Sequence, residues 1–327
     1  MAQARGHRVT GLDIGYFESC VTRPDADGVA DAQILRDIRD VAAADLEGID
    51  AVIHLAGLSN DPMGELNPGL TYDINLEGTL KLARLAKAAG VSRFVFASSC
   101  SIYGAAGGAG RLDETAPLEP VSAYAVSKAR SEEGLGALAD QDFSPVFMRN
   151  ATAYGLGSRP RFDLVLNNLA GWAFATGAVR VMSDGTPWRP LAHIEDISLA
   201  ALCAAEAPRA AVHAQAFNIG RSDANYQVKD IAQAVLAAFP GSRLEITGET
   251  GGDPRSYRVD FSKALNGLPG FEPQWTLERG VDEVAGWLNA NGLGAEAFDS
   301  RMFIRLKQLK HGVEQGALNA ELRRLSV

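Results

Sequence analysis

The stretch Phe96-Ala97-Ser98-Ser99-Cys100-Ser101-Ile102-Tyr103-Gly104, answered further along by Tyr124-Ala125-Val126-Ser127-Lys128, decides how the rest of the chain reads. An apolar run over 93–97 ends in hydroxyl residues, the pattern of a buried strand that opens onto a loop. Ser122 is the cap of a helix expected over 122–139, and the helix carries Tyr124 and Lys128 one turn apart on one face. A tyrosine of pKa about 10 is a poor base at neutral pH until a nearby cation stabilises its phenolate. Lys128 supplies that cation. Ser99 is the hydroxyl that would hydrogen-bond a substrate oxygen whose proton Tyr124 exchanges.

Outward from this pair, short apolar runs at 8–12, 51–55, 93–97 and 145–148 alternate with amphipathic stretches. Such an alternation predicts an α/β fold of the Rossmann type, a doubly wound parallel sheet whose strands are buried on both faces. A helix is expected over 76–89, with Gly90 as the residue that ends it. Beyond about residue 155 the connections lengthen, which predicts a smaller mixed α/β region. There the spacing predicts helices over 162–176, 194–207, 228–238 and 277–290 and a strand over 216–219. The last stretch, 300–325, reads as helix with a break near Gly316, its basic residues forming a solvated face. The expected division is 1–155 for the cofactor and catalytic half and 156–327 mainly for substrate, with some segments returning to the first half.

Of the 327 residues, 46% are hydrophobic and 22% charged, with a formal net charge of −9, so nothing draws the molecule as a whole to nucleic acid or an anionic membrane. The three cysteines, Cys20, Cys100 and Cys203, are far apart and odd in number, which argues against a disulfide framework or a metal site and for a reducing, cytoplasmic setting. No window reaches the roughly 18 apolar residues of a membrane span.

The Ser-Tyr-Lys arrangement resembles the catalytic set of the extended short-chain dehydrogenase/reductases, in particular the NAD-dependent nucleotide-sugar epimerases and dehydratases related to UDP-glucose 4-epimerase. The likeness runs over nearly the whole chain. It implies Ser99, Tyr124 and Lys128 as the catalytic residues, NAD as the cofactor and a nucleotide sugar as the substrate. Relatives that dehydrate hexoses carry Asp-Glu after the catalytic hydroxyl residue; here Cys100-Ser101 stands instead. The resemblance further implies that Asp13 meets the adenosine ribose diol, where a carboxylate favours NAD over NADP. Asp37 and Ile38 match the pair that contacts adenine. His54-Leu55-Ala56-Gly57 matches a loop along the cofactor, with Leu55, Ala56 and Gly57 touching it and His54 packed. For the substrate, Asn168, Arg189, Asp253 and Tyr257 occupy matching positions, Arg189 being the cation for the diphosphate; Arg255 is an added cation in the same segment, and Thr152 stands where relatives often carry Asn, so the sugar contact there differs. The resemblance also implies a homodimer formed by the helices at 76–89 and 122–139.

One element of the resemblance is missing from the sequence. A fold of this kind opens with a strand, a G-x-x-G-x-x-G turn and a helix that receives the pyrophosphate, and about 20 to 25 residues of that unit have no counterpart ahead of Arg8-Val9-Thr10-Gly11-Leu12-Asp13. The expected consequence is a gap in the sheet, unless neighbouring strands close up, a partner fills it, or the true start of the chain lies upstream of Met1. Three functions then stand: NAD-dependent epimerisation through a 4-keto intermediate, reduction of an NDP-4-keto-sugar, or noncatalytic binding of a nucleotide sugar.

Overall fold

In the computed structural model, residues 1–23, 30–59, 61–64, 67–106, 110–248 and 256–325 are described. Two short parallel strands come first, β1 (Thr10–Asp13) and β2 (Ala32–Leu35), followed by β3 (Ala51–His54). The chain then coils through Pro68–Thr71, a π-helical turn at Tyr72–Glu77 and helix α1 (Gly78–Ala88) before entering β4 (Arg93–Ser99). Helix α2 (Ala123–Gly136) leads to β5 (Ser144–Asn150). The second half adds β6 (Thr152–Tyr154), α3 (Val165–Thr176), β7 (Ala178–Val181), β8 (Trp188–His193), α4 (Ile194–Glu206), β9 (Gln215–Ile219), β10 (Asn225–Gln227), α5 (Val228–Ala238), β11 (Arg243–Ile246), α6 (Leu277–Asn291) and α7 (Arg305–Glu314).

The central sheet is parallel, in the order β9-β5-β4-β3. Because side chains alternate along a strand, β4 feeds two cores. Phe94 and Phe96 join Leu82, Leu135 and Phe143 on one face, while Val95 joins Val146, Ala200 and Phe217 on the other. Helices thus cover both faces of β4 and β5, which explains their unbroken apolar runs. A separate core, built from Leu166, Val179, Leu191, Ile231 and Val284, holds the second region together.

Local chemistry sets the ends of the two helices that matter for the site. Gly90 adopts a φ of 83° and its N–H closes on the Lys87 carbonyl at 3.1 Å, a left-handed stop that a glycine adopts without strain. At the start of α2, the Ser122 Oγ accepts from the Ala125 N–H at 3.2 Å.

Three expectations need correction. Strands buried on both faces are found at β4 and β5 but not at β1 or β3, where Ile53 is 37% exposed, and β2, with Leu35 56% exposed, is a strand not among those expected. The reason is topological: β1 and β2 pair only with each other, and β3 is the edge of the central sheet, so neighbouring strands have not closed up across the interval between β1 and β3 among the described residues. Second, the helix expected at 76 begins well upstream, because Pro68 at its first turn and the Asn67 cap start it there. Third, within 300–325 the break expected near Gly316 is present, but the helix is confined to Arg305–Glu314 and the stretch beyond the break is not helical. After α7, Gly316 turns at a φ of 69° and the chain doubles back through an antiparallel bridge between Leu318 and Arg324. Nor is its basic face wholly solvated, since Arg305 is buried beneath Phe17, its guanidinium 4.5 Å from the ring centre.

Candidate active site

The carboxyl end of β4 delivers Ser99 to the point where α2 begins. Ser99 Oγ accepts from the Ser101 N–H at 3.1 Å and from the Ser101 hydroxyl at 2.8 Å. With both lone pairs engaged, the Ser99 hydroxyl has its own proton to offer a substrate oxygen. Ile102 and Tyr103 are fully buried behind it. Gly104 closes the turn with a φ of 50°, and a Cβ there would lie 1.8 Å from the Glu119 carbonyl oxygen.

On α2, Lys128 reaches down to the strand. Its Nζ donates to the Ala97 carbonyl at 2.7 Å and sits 4.7 Å from the Phe96 ring centre and 5.8 Å from that of Tyr124. Burial lowers its pKa to about 8, against the opposing pull of Glu132. The lysine is thus a desolvated cation one helical turn from the phenol, the arrangement that stabilises a phenolate.

A further tie comes from Asn75 in the π-helical turn. Its Oδ1 accepts from the Leu58 N–H at 2.7 Å, and its Nδ2 donates to the Leu58 carbonyl at 3.0 Å and to the Ser127 Oγ at 3.3 Å. One amide therefore locks the loop after β3 to α2 beside Lys128, and Gly57 (φ 148°) is close enough that a Cβ would meet Asn75 Oδ1 at 2.9 Å. Sequence reasoning missed Asn75; the only local signal is a polar residue in a stretch of helical apolar spacing, where π-helical turns often mark functional sites. It also missed the ion pair that seats α2: Glu132 accepts from Ser98 Oγ at 2.5 Å and from Arg149 Nη2 at 2.8 Å, all three buried.

The positions expected to meet the cofactor lie at the carboxyl ends of β1, β2 and β3. Asp13 ends β1 exposed, its Oδ1 accepting from the Gly15 N–H at 2.6 Å. Asp37 caps the turn at Ile38–Asp40 and is held by Arg39 through Nη2 at 2.6 Å, while Ile38 is buried in the core. Leu55 is 64% exposed at the end of β3, and Ala56 and Gly57 follow it. His54 is buried, bonded to Thr79 Oγ1 at 2.7 Å, and burial, reinforced by the Lys128 charge, lowers its pKa to about 3, so it is a neutral packing residue. Asp13 is thus an exposed carboxylate at the end of β1 and Leu55 an exposed apolar residue at the end of β3, two strands that belong to separate sheets.

The substrate positions are spread over the second region. Thr152 lies on β6 opposite Leu191 of β8. Asn168 on α3 donates from Nδ2 to the Phe162 carbonyl at 2.8 Å, and Arg189 on β8 donates to the Trp188 carbonyl at 2.9 Å. Tyr257 is 5% exposed and packs with Cys100, Tyr103 and Phe261. Asp253 and Arg255 lie outside the described residues. Cys100 turns away from the crevice, its thiol on the Arg149 carbonyl at 3.1 Å, and burial pushes the thiol far up from its usual range. Among the described residues no cluster suited to a metal ion and no helix long and apolar enough to cross a membrane is found.

The NAD dependent epimerase/dehydratase family matches the chain over residues 1–220. The chain is 28% identical over 249 residues to the UDP-glucuronate 4-epimerase of Thermodesulfobacterium geofontis, covering 74% of this chain and 73% of that one. It is 26% identical over 317 residues to the dTDP-glucose 4,6-dehydratase of Xanthomonas campestris pv. campestris, covering 89% and 88%. Among solved structures, MoeE5 in complex with UDP-glucose and NAD superposes with a TM-score of 0.74 at 27% identity, over 89% of this chain and 93% of that one.

Proposed function

Because this chain belongs to the NAD dependent epimerase/dehydratase family, whose cofactor is NAD and whose members act on nucleotide sugars, we propose that it epimerises a nucleotide-diphosphate sugar through a transient 4-keto sugar. The observation that carries this reading is the buried Lys128 ammonium one turn from Tyr124, with Nζ 5.8 Å from the phenol ring centre. Tyr124, as phenolate, removes the proton of the sugar hydroxyl, and Ser99 donates a hydrogen bond to the same oxygen. When bound, NAD would supply the hydride acceptor and donor for the carbon bearing that oxygen. Once the ring has turned, Tyr124 gives its proton back to the oxygen, so the inverted sugar leaves with the enzyme unchanged. Arg189 holds the diphosphate, Thr152 and Asn168 contact the nucleotide sugar, and the resemblance assigns Tyr257, together with Asp253 and Arg255 outside the described residues, to the diphosphate as well.

Water elimination is disfavoured by the residues after Ser99. Cys100 is buried with its proton held, and Ser101 is a neutral hydroxyl, so neither supplies the acid and base that elimination requires. The same catalytic set would serve an NDP-4-keto-sugar reductase, which differs in releasing its oxidised cofactor. A homodimer formed through α1 and α2 is part of the proposal. The reaction test is incubation with NAD and UDP-glucose or UDP-glucuronate, followed by proton NMR of the product. Inversion at C4 supports the reading; a 4-keto-6-deoxy product overturns it in favour of dehydration, and turnover confined to a 4-keto-sugar with a reduced cofactor overturns it in favour of reduction.

A further inference from the structure

The chain after α7 is folded onto the carboxyl ends of β1 and β2, and this contact is built. Tyr16 Oη donates to the Leu322 carbonyl at 2.5 Å, and Arg39 donates to the Glu321 carbonyl at 2.9 Å. Leu318 and Leu322 are buried in the same core as Ile38 and Leu309. Leu322 holds a φ of 54°, a left-handed backbone that costs a non-glycine residue and persists only where its surroundings over-determine it. Such outliers collect at ligand clamps.

The fold leaves a cleft of about 510 Å³ between this hook and the strand ends, within the range of small-ligand sites. Ile14, Leu35 and Asp37 line it from the strands; Arg323, Arg324 and Leu325 line it from the hook. Two of these are leucines left in water, Leu35 at 56% and Leu325 at 47% exposure, an arrangement in which a flat aromatic base would bury apolar area on both walls. Arg324 stands at the end of β1: its Nη1 donates to the Ile14 carbonyl at 3.1 Å and would be 2.6 Å from a Cβ on Gly15, the residue whose N–H bonds Asp13. The same Nη1 stands 3.4 Å from the exposed Glu18 carboxylate, a long pairing that an anionic oxygen beside the ribose would replace.

We propose that the carboxy-terminal hook, through Arg324 and Leu325, is one wall of the site for the adenosine-phosphate half of the dinucleotide, with the base held between Leu325 and Leu35. This rests on the reading that NAD lies along the ends of β1 to β3. It makes residues more than 300 positions from Asp13 in the chain determinants of cofactor affinity.

The test is calorimetric titration of the full chain with ADP-ribose and, separately, with UDP-glucose, for the wild type, Arg324→Ala and Leu325→Asp. Both substitutions are at exposed side chains, and circular dichroism checks that the fold is retained. The expected result is an ADP-ribose Kd raised at least about tenfold by Leu325→Asp and about three- to tenfold by Arg324→Ala, with UDP-glucose affinity unchanged. Wild-type affinity for ADP-ribose in both variants overturns the role of the hook while leaving the cofactor reading intact. Failure of the wild type itself to bind ADP-ribose, with UDP-glucose still bound, overturns the cofactor reading and the hook with it.

Discussion

The ammonium of Lys128 is buried against the carbonyl oxygen of Ala97, 2.7 Å away, at the last turn of strand before Ser99. This contact fixes a cation at the foot of Tyr124, and the same burial that makes the cation useful makes it costly to keep.

The first consequence is a pH dependence of stability. The folded-state pKa of Lys128, about 8, lies below the ordinary lysine value of 10.5, so between these limits the unfolded chain binds a proton that the native chain does not. Stability contributed at this site therefore rises with pH from about 8 to 10.5 and is lowest below 8, where the buried charge is present. Lys128→Met is expected to remove the penalty, raising stability by about 1–3 kcal/mol at pH 7 and by less at pH 10, measured by urea denaturation at both values. An unchanged or lower stability at pH 7 would show that the bond to Ala97 outweighs desolvation.

Catalysis should move the opposite way. Tyr124→Phe is expected to reduce kcat by about 10²–10⁴ with little change in nucleotide-sugar binding, because the phenol acts on a proton and not on affinity. In the wild type, kcat should decline as pH rises past about 8 and Lys128 loses its charge. A profile flat through pH 9.5 would remove Lys128 as the source of phenolate stabilisation.

Glu132 and Arg149 form a buried pair, Nη2 to Oε2 at 2.8 Å, that ties α2 to β5, while Ser98 ties the same carboxylate to β4. Glu132→Gln leaves the buried guanidinium without its counter-charge and is expected to cost about 3–5 kcal/mol. Adding Arg149→Met should recover part of that loss, since both charges are then gone. A double variant as unstable as the sum of the two single ones would mean the pair acts through packing rather than charge.

Gly104→Ala should destabilise the fold by several kcal/mol, because its Cβ would lie 1.8 Å from the Glu119 carbonyl oxygen, a backbone atom that cannot swing aside, and its φ is 50°. Thermal denaturation reads this directly. A melting temperature within a few degrees of wild type would show that the loop at 119–120 yields freely.

What the sequence determined by itself was local in its cause. The run ending at Ser99 and the capped helix carrying Tyr124 and Lys128 are legible because a strand's period and a helix turn act between near neighbours, and β4 and β5 are unbroken apolar runs because helices cover both their faces. The tertiary structure alone decided the rest. Asn75 reads as one polar residue in a helical stretch until Leu58 and Ser127 are seen on either side of it. Ile53 reads as a buried strand residue, yet it is 37% exposed because β3 lies at the edge of its sheet, and pairing is not written in a strand's own composition. Arg39 meets Leu322 across 283 positions, and no short-range pattern announces a contact whose partners are joined only by the folding of everything between them.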